Sequence, residues 1–298
     1  MKLSCIKNFQ KFARIKENIL FCLTLSLFSS CSIFNSREVK IIQNSFSGKI
    51  IYFAELDKDF KKTKNFSKIW SKLYSKRFRS YHKFLNKEFT IIGESNIMGQ
   101  NFLIIKNKNG KKYKSLIKRD FKGNLILPSY LFFKEDFLKA KRLIGQNIWL
   151  NYTNDTTVFL TYSEHNFIRF STVKVIDIIK FSDNDSLTPI WLKIESSEGF
   201  EGFLRYSKTK DNVGFEDYYY LDHPLPKEWS KKIIRRILKG EIEFGMNKSQ
   251  VRRSIGNPDL INNTSSRYGV SEQWLYKKTN SSSTSYQFEY GKLVYVSN

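Results

Sequence analysis

Three cysteines, three histidines and a scatter of carboxylates are the side chains here whose types suit nucleophilic, metal or acid–base chemistry. His82, His165 and His223 lie far apart, and none has a second ligand at zinc-site spacing. Ser163-Glu164-His165-Asn166 gathers the residue types of a catalytic triad, but triads are assembled in space from distant positions, not from neighbours. No phosphate-cradling Gly-rich loop and no Gly-x-Ser-x-Gly elbow occurs. A pair of carboxylates needs no local motif and stays open as a hydrolytic device. The expectation is therefore no catalytic residue, no metal site and no cofactor.

Cysteine carries a different chemistry. Cys5 and Cys22 fall in a leader: Lys2, Lys7, Lys11, Arg14 and Lys16 precede the apolar run Ile19–Phe28. A membrane-spanning helix needs about 20 apolar residues, so this run fits the h-region of an export signal. "LFSSC", Leu27 to Cys31, resembles a lipobox, at which a lipoprotein signal peptidase cuts and the cysteine is acylated. Phe28 stands where the strict box prefers leucine, which is here one place further out, at Leu27. We expect a signal peptide over 1–31, lipidation (palmitate-type acylation) of Cys31 and a tether over 32–45. Two or three acyl chains anchor stably where one is marginal. The processed chain then has no thiol left for a disulfide or a zinc–thiolate site. Ser32 stands where some lineages use aspartate to retain lipoproteins in the inner membrane, which favours the outer membrane.

The formal net charge is +23, and about +19 without the leader. Between Lys58 and Lys87 the chain holds eleven Lys or Arg against one acid, Asp59. Phe66, Ile69, Trp70, Leu73, Tyr74, Phe78, Tyr81, Phe84 and Leu85 recur there at offsets of three and four, which predicts a basic amphipathic helix. Its candidate contacts to an anionic surface are Lys68, Lys72, Lys76, Arg77, Arg79 and Lys83. Export argues against nucleic acid as the partner. Phospholipid headgroups, lipopolysaccharide-like phosphates, peptidoglycan carboxylates and acidic protein faces remain.

Residues 46–226 read mostly as strands in two parallel runs, 46–138 and 139–226, with 58–87 as an excursion from the first. Each run has a Gly-led strand, an excursion, a β-rich strand and a hairpin. The hairpins are "FLIIKNKNGKKYKSLI" and "WLKIESSEGFEGFLRY", with Gly110 and Gly199 at the turns. Trp191, Gly199, Gly202 and Phe203 resemble the closing strands of bacterial SH3-like domains; the first copy has Phe102 for Trp191 and no counterpart of Gly202. That resemblance implies small barrels that bind peptides or cell-wall material. Trp191 and Tyr219 are its candidate partner-binding residues, Tyr219 being expected to face water while Tyr218 and Tyr220 face the core.

Pro224 and Pro226 end the strand pattern. Trp229, Ile233, Ile234, Ile237 and Leu238 mark one helical face, closed by Gly240. Then comes "GMNKSQVRRSIGNP", 245–258. Asn247 and Gln250 predict a capping box, Val251 and Ile255 a core stripe, and Gly256 and Pro258 the stop. Arg252 and Arg253 fall off the stripe, are expected to be solvated, and are the other candidate partner-binding residues. Strands are expected around "RYGV", "EQWLYKK" and "SYQFEYGKLVYVS".

Gly245-Met246, Val251, Ile255-Gly256, Pro258, Trp274-x-Tyr276, Phe288 and Gly291-x-Leu293 resemble the BamE/SmpA-type domain. That family comprises small lipoproteins accessory to the outer-membrane β-barrel assembly machine. Its usual Thr or Ser after Gly-Met is Asn247 here, and about 200 residues separate the domain from Cys31 where the family has few. The resemblance implies two helices on a three-stranded antiparallel sheet over 232–298. The expected fold class is thus mainly β with a small α+β domain: two SH3-like barrels, then the helix–helix–three-stranded-sheet domain.

The expected function is that of a non-catalytic lipoprotein of the bacterial cell envelope, anchored in the outer membrane and facing the periplasm. It would act as a protein-binding scaffold in outer-membrane protein assembly or envelope maintenance. The alternatives are a peptidoglycan-binding lipoprotein using its repeats and a carboxylate-dependent cell-wall hydrolase.

Overall fold

Alternation of apolar and polar residues builds the first sheet. In β1 (Ile50–Phe53) Ile51 and Phe53 turn inward, and in β5 (Phe89–Ile97) Phe89, Ile91, Gly93 and Ser95 do the same. The computed structural model describes residues 39–56, 69–151, 153–183, 187–207, 213–266, 269–277 and 283–297. The chain is mainly β, with curled sheets.

After β1 come β2 (Glu55–Leu56), β3 (Trp70–Lys72), β4 (Phe78–Arg79), β5, β6 (Gln100–Asn107), β7 (Lys112–Leu116) and the small hairpin β8 (Lys118–Arg119)–β9 (Leu125–Ile126). β10 (Leu131–Phe133) closes the first sheet, whose order is β10-β1-β5-β6-β7-β3-β4. Helix α1 (Lys134–Lys141) leads to the second sheet. That sheet uses β11 (Asn147–Leu150), β12 (Phe159–Thr161), β13 (Thr172–Ser182), β14 (Ile190–Glu195), β15 (Glu201–Arg205) and β16 (Tyr219–Tyr220), in the order β12-β15-β14-β13-β11-β16.

The two orders are one pattern. In each sheet the last strand pairs the first, followed by the third, fourth and fifth main strands and then the excursion strand. The match extends to single bonds. Gly48 and Gly145, at φ 87° and 85°, each donate at 2.8 Å to the carbonyl of Ile91 or Val175. The N–H of Ile91 or Val175 returns to the carbonyl of Lys49 or Gln146. Glycine adopts that left-handed φ without penalty, so a side chain at either position would strain the backbone. Both third strands carry a bulge, between Ile91 and Gly93 and between Val175 and Asp177, which bends the sheet.

The predicted basic helix is not formed in the described part of its span. Residues 69–87 make β3, β4 and a 3-10 turn at Tyr81–Lys83; Lys68 and the rest of 57–68 lie outside the described residues. The physical reason is the core around Phe53. Trp70, Tyr81, Phe84 and Phe89 place their rings within 5.0–5.7 Å of its centroid, so a strand, a turn and a 3-10 turn satisfy the same offsets of three and four.

The two sheets are joined. β2 leaves the first sheet and pairs in parallel with β13 through Phe181 and Ser182. Ala54 and Phe132 of the first module and Ala140 and Leu143 after it belong to the core of the second, with Ile148, Leu150, Val175, Leu192 and Leu204.

The last module begins with α2 (Lys231–Leu238), capped by Ser230, and α3 (Lys248–Ile255). Its sheet is four-stranded, β17 (Leu260–Ser266), β18 (Gly269–Lys277), β19 (Ser283–Glu289) and β20 (Lys292–Ser297), not three-stranded. Leu260–Ser266, where no strand is expected from the sequence, pairs along β18 for seven residues, and "GV" and "EQWLYK" are one strand. Ile237, Met246, Val251, Trp274, Phe288 and Leu293 fill the core between helices and sheet.

Candidate functional site

The residues selected from sequence do not converge on one place. Trp191 is 2 % exposed: the Arg205 guanidinium lies over its ring at 4.0 Å and its indole N–H donates to the carbonyl of Phe181. Tyr219 is buried, contrary to the alternation argument, with its hydroxyl donating to the carbonyl of Ser207 at 3.0 Å. β16 is only two residues long and, among the described residues, pairs only with β11, so strict alternation does not carry through it. Lys72, Lys76, Arg77 and Lys83 are exposed, and Arg79 is half-buried in β4 opposite Trp70. Cys31 and Lys68 lie outside the described residues. Among the described residues no group of three or more His, Cys, Asp or Glu is poised around a common point.

Arg252 and Arg253 are half-buried rather than freely solvated. The Arg252 guanidinium sits 4.6 Å from the Trp274 ring centroid and donates to Asn257 Oδ1 at 2.6 Å. That of Arg253 lies 3.9 Å over the Tyr220 ring, in the second sheet. Each cation faces the negative π-surface of an aromatic ring, which is worth most where water is excluded. The off-stripe face of α3 thus packs on its own sheet on one side and on the preceding module on the other.

These contacts outline a junction, and the sequence reading missed its centre. Asn247 accepts from the N–H of Gln250 while Gln250 Oε1 accepts from that of Asn247, a complete capping box that starts α3. At the other end the last-turn carbonyls need donors. Arg169 supplies them from the turn before β13: Nη2 donates to the carbonyl of Arg253 at 2.8 Å and Nη1 to that of Ser254 at 3.2 Å. A cation at a helix C-terminus also suits the negative end of the helix dipole. Arg169 is aimed by Asn151, whose Oδ1 accepts from Nε at 2.8 Å and whose Nδ2 donates to the carbonyl of Asp217. The next residue, Phe170, sits at φ 66°, a strained backbone for a non-glycine residue.

Gly256 and Asn257 complete the junction. Gly256 has φ 85° and ψ −170°, a conformation that is essentially glycine-only. Its carbonyl accepts from the Tyr276 hydroxyl at 3.0 Å. Asn257 Nδ2 donates to the carbonyl of Phe215 and to Asp217 Oδ2, and the N–H of Gly214 reaches the carbonyl of Pro258 at 2.7 Å. Glu216 is exposed as a residue, yet its carboxylate end lies against Gly256, where a Cβ would stand 2.6 Å from both oxygens. Burial of that end pushes the Glu216 carboxyl above the usual range and the charge of Asp217 adds to it, against the pull of Arg169.

A polar cleft of about 290 Å³ opens here, lined by Asn151, Thr153, Asn154, Arg169, Glu216 and Ser254 among others. Its guanidinium is committed to two carbonyls and its carboxyl lies against the Gly256 backbone. The arrangement fixes two modules to each other. The only local signals in the sequence were the cap and the stop of α3.

No protein family, curated protein or solved structure matches this chain.

Proposed function

We propose that the chain is a non-catalytic scaffold lipoprotein of the bacterial envelope, held in the outer membrane through acylated Cys31 and facing the periplasm. The last module, read as BamE/SmpA-like, is the platform for an envelope protein partner, with the outer-membrane assembly machinery as the first candidate. The two sheets are read as SH3-like barrels; their shared strand order, with the last strand beside the first and a long excursion after the first, supports that reading.

One observation carries the proposal: the motif residues build the core of the third module, and the end of α3 is docked on the second module. Met246, Val251, Trp274, Phe288 and Leu293 form the third core, while Arg252, Arg253 and Gly256 are built into contacts with neighbouring elements. The third module is thereby presented in a fixed pose by the second, as a scaffold requires.

The test is photo-crosslinking in cells from Val294 and Tyr295, exposed on β20. A discrete envelope protein is the expected adduct; recovery of peptidoglycan alone replaces this reading with the wall-binding one. Cys31→Ser is expected to move the protein from the membrane to the soluble fraction, and continued anchoring refutes the lipidation.

A further inference from the structure

The first module carries an unusual charge arrangement. β6 and β7 place Lys106 directly opposite Lys112. β3 lies on the other side of β7, with Lys72 opposite Tyr113, and the N–H of Leu73 donates to the carbonyl of Lys112 at 3.1 Å. Adjacent strands are about 4.8 Å apart, so the β3–β4 turn, with Lys76 and Arg77, stands beside the tip of the β6–β7 hairpin, with Lys111. Lys72, Lys76, Arg77, Lys106, Lys111 and Lys112 are all exposed, and none has an ion-pair partner among the described residues.

Several lysines elsewhere sit against carboxylates. Lys108 and Lys134 share Glu88, Lys139 pairs with Glu135, Lys193 with Glu201, and Lys248 with Glu272. Like charges directly opposite one another destabilise a strand pair, so this tip carries a cost that its own module does not offset. Two aromatic side chains edge it: Tyr74 is 67 % exposed in the turn, and Phe78, at the start of β4, is 48 % exposed.

We propose that the tips of the β3–β4 and β6–β7 hairpins form a second membrane contact, in which the six cations meet anionic phospholipid headgroups and Tyr74 and Phe78 enter the interface. Uncompensated cations supply the complement to an anionic leaflet. Exposed aromatic rings beside them suit the headgroup level of a bilayer, where one end is apolar and the other wet. A soluble polyanion would use the cations and leave the rings in water. The inference depends on the lipid-anchored reading only in having a bilayer within reach. It assigns to a strand-and-turn surface the contact that the sequence suggested for a helix.

The test uses the processed chain carrying Cys31→Ser, so that no acyl group is present, and co-flotation with vesicles. Phosphatidylcholine vesicles containing phosphatidylglycerol are expected to bind it, and phosphatidylcholine alone is not. Binding should vanish at about 1 M salt, where the Debye length falls to about 3 Å. Lys76→Gln/Arg77→Gln/Lys112→Gln is expected to weaken partitioning about 100-fold, since each cation near an anionic surface contributes about five-fold. Tyr74→Ser/Phe78→Ser should weaken it about ten-fold at unchanged salt dependence. Lys227→Gln/Lys231→Gln/Lys239→Gln, with the same change in net charge, should leave it nearly unchanged. Melting curves establish that each variant is folded. Absence of binding to the anionic vesicles, or equal losses from the two charge triples, overturns the proposal. Equal binding to polyphosphate that ignores the aromatic variant replaces the lipid with a soluble polyanion. None of these outcomes bears on Cys31, whose cell fractionation is read separately.

Discussion

Arg169 Nη2 donates to the backbone carbonyl of Arg253 at 2.8 Å, across 84 residues of sequence. The bond ends a helix of one module with a side chain from another. A helix C-terminus closed within its own module would need neither Arg169 nor the strained Phe170 beside it. The second and third modules therefore share a fold element, and the stability of α3 depends on the sheet before it.

Replacing Arg169 by alanine removes the bonds to two carbonyls and the one to Asn151. We expect a loss of about 2–3 kcal/mol, the range for hydrogen bonds to a charged group at a partly solvated site. Urea melts measure it. Amide exchange at 254–257 should accelerate more than exchange in β19. Arg169→Lys should recover less than half, because a single ammonium cannot reproduce the planar fork. A loss below about 0.5 kcal/mol would show that the junction does not couple the modules.

Gly256→Ala tests the stop of α3. The backbone conformation alone costs alanine about 1–3 kcal/mol. The Glu216 carboxylate adds a clash, but it is the end of a flexible side chain and can move. We therefore expect about 2–3 kcal/mol of destabilisation for Gly256→Ala, of which adding Glu216→Ala restores less than about 1 kcal/mol. A larger rescue in the double-mutant cycle would make the contact, not the backbone, the reason for glycine.

What was legible in the sequence was local. Asn247 and Gln250 are three residues apart, and a capping box needs nothing else, so its geometry could be read directly. Gly48 and Gly145 head matching runs because each must adopt the same left-handed φ. The basic segment was misread because offsets of three and four describe any compact return of the chain, and only the position of Phe53 selects strands and a 3-10 turn over a helix. Arg252 and Arg253 were read as solvated because a helical wheel sees one partner surface, and here Trp274 and Tyr220 cover two. Arg169, Asn151 and Asn257 were invisible: their partners lie 84, 66 and 40 residues away and follow no spacing rule.

Arg205 is fully buried, paired with Asp183 and donating to the carbonyls of Thr157 and Thr188 under the Trp191 ring. Truncation to alanine leaves Asp183 and two carbonyls without these donors and a gap beneath the indole. Breaking a buried charged pair costs about 3–5 kcal/mol, and the partial exposure of Asp183 places Arg205→Ala at about 3 kcal/mol, enough to lower the urea midpoint of the second module markedly. Near-ultraviolet circular dichroism of the tryptophans reports it. Retention of the native signal with a small shift in midpoint would mean that Trp191 is held by other contacts and is free to serve a ligand.

Glu88 gathers Lys134 at 2.6 Å, the Tyr52 hydroxyl at 2.5 Å and Lys108 at 3.0 Å. The hydrogen bond from Lys134, then those from Tyr52 and Lys108, hold its carboxyl at about 2, against an ordinary value of 4.5. The unfolded chain, with the higher value, takes up the proton first as pH falls. The stabilisation is therefore complete above about 4.5 and is lost as the pH falls toward about 2. Glu88→Gln should lower the melting temperature at neutral pH and lose less of it across that acid window than the unchanged chain. Parallel acid limbs for the two proteins would place the acid sensitivity on other carboxylates and leave the Glu88 cluster without a measurable share in joining α1 to the first sheet.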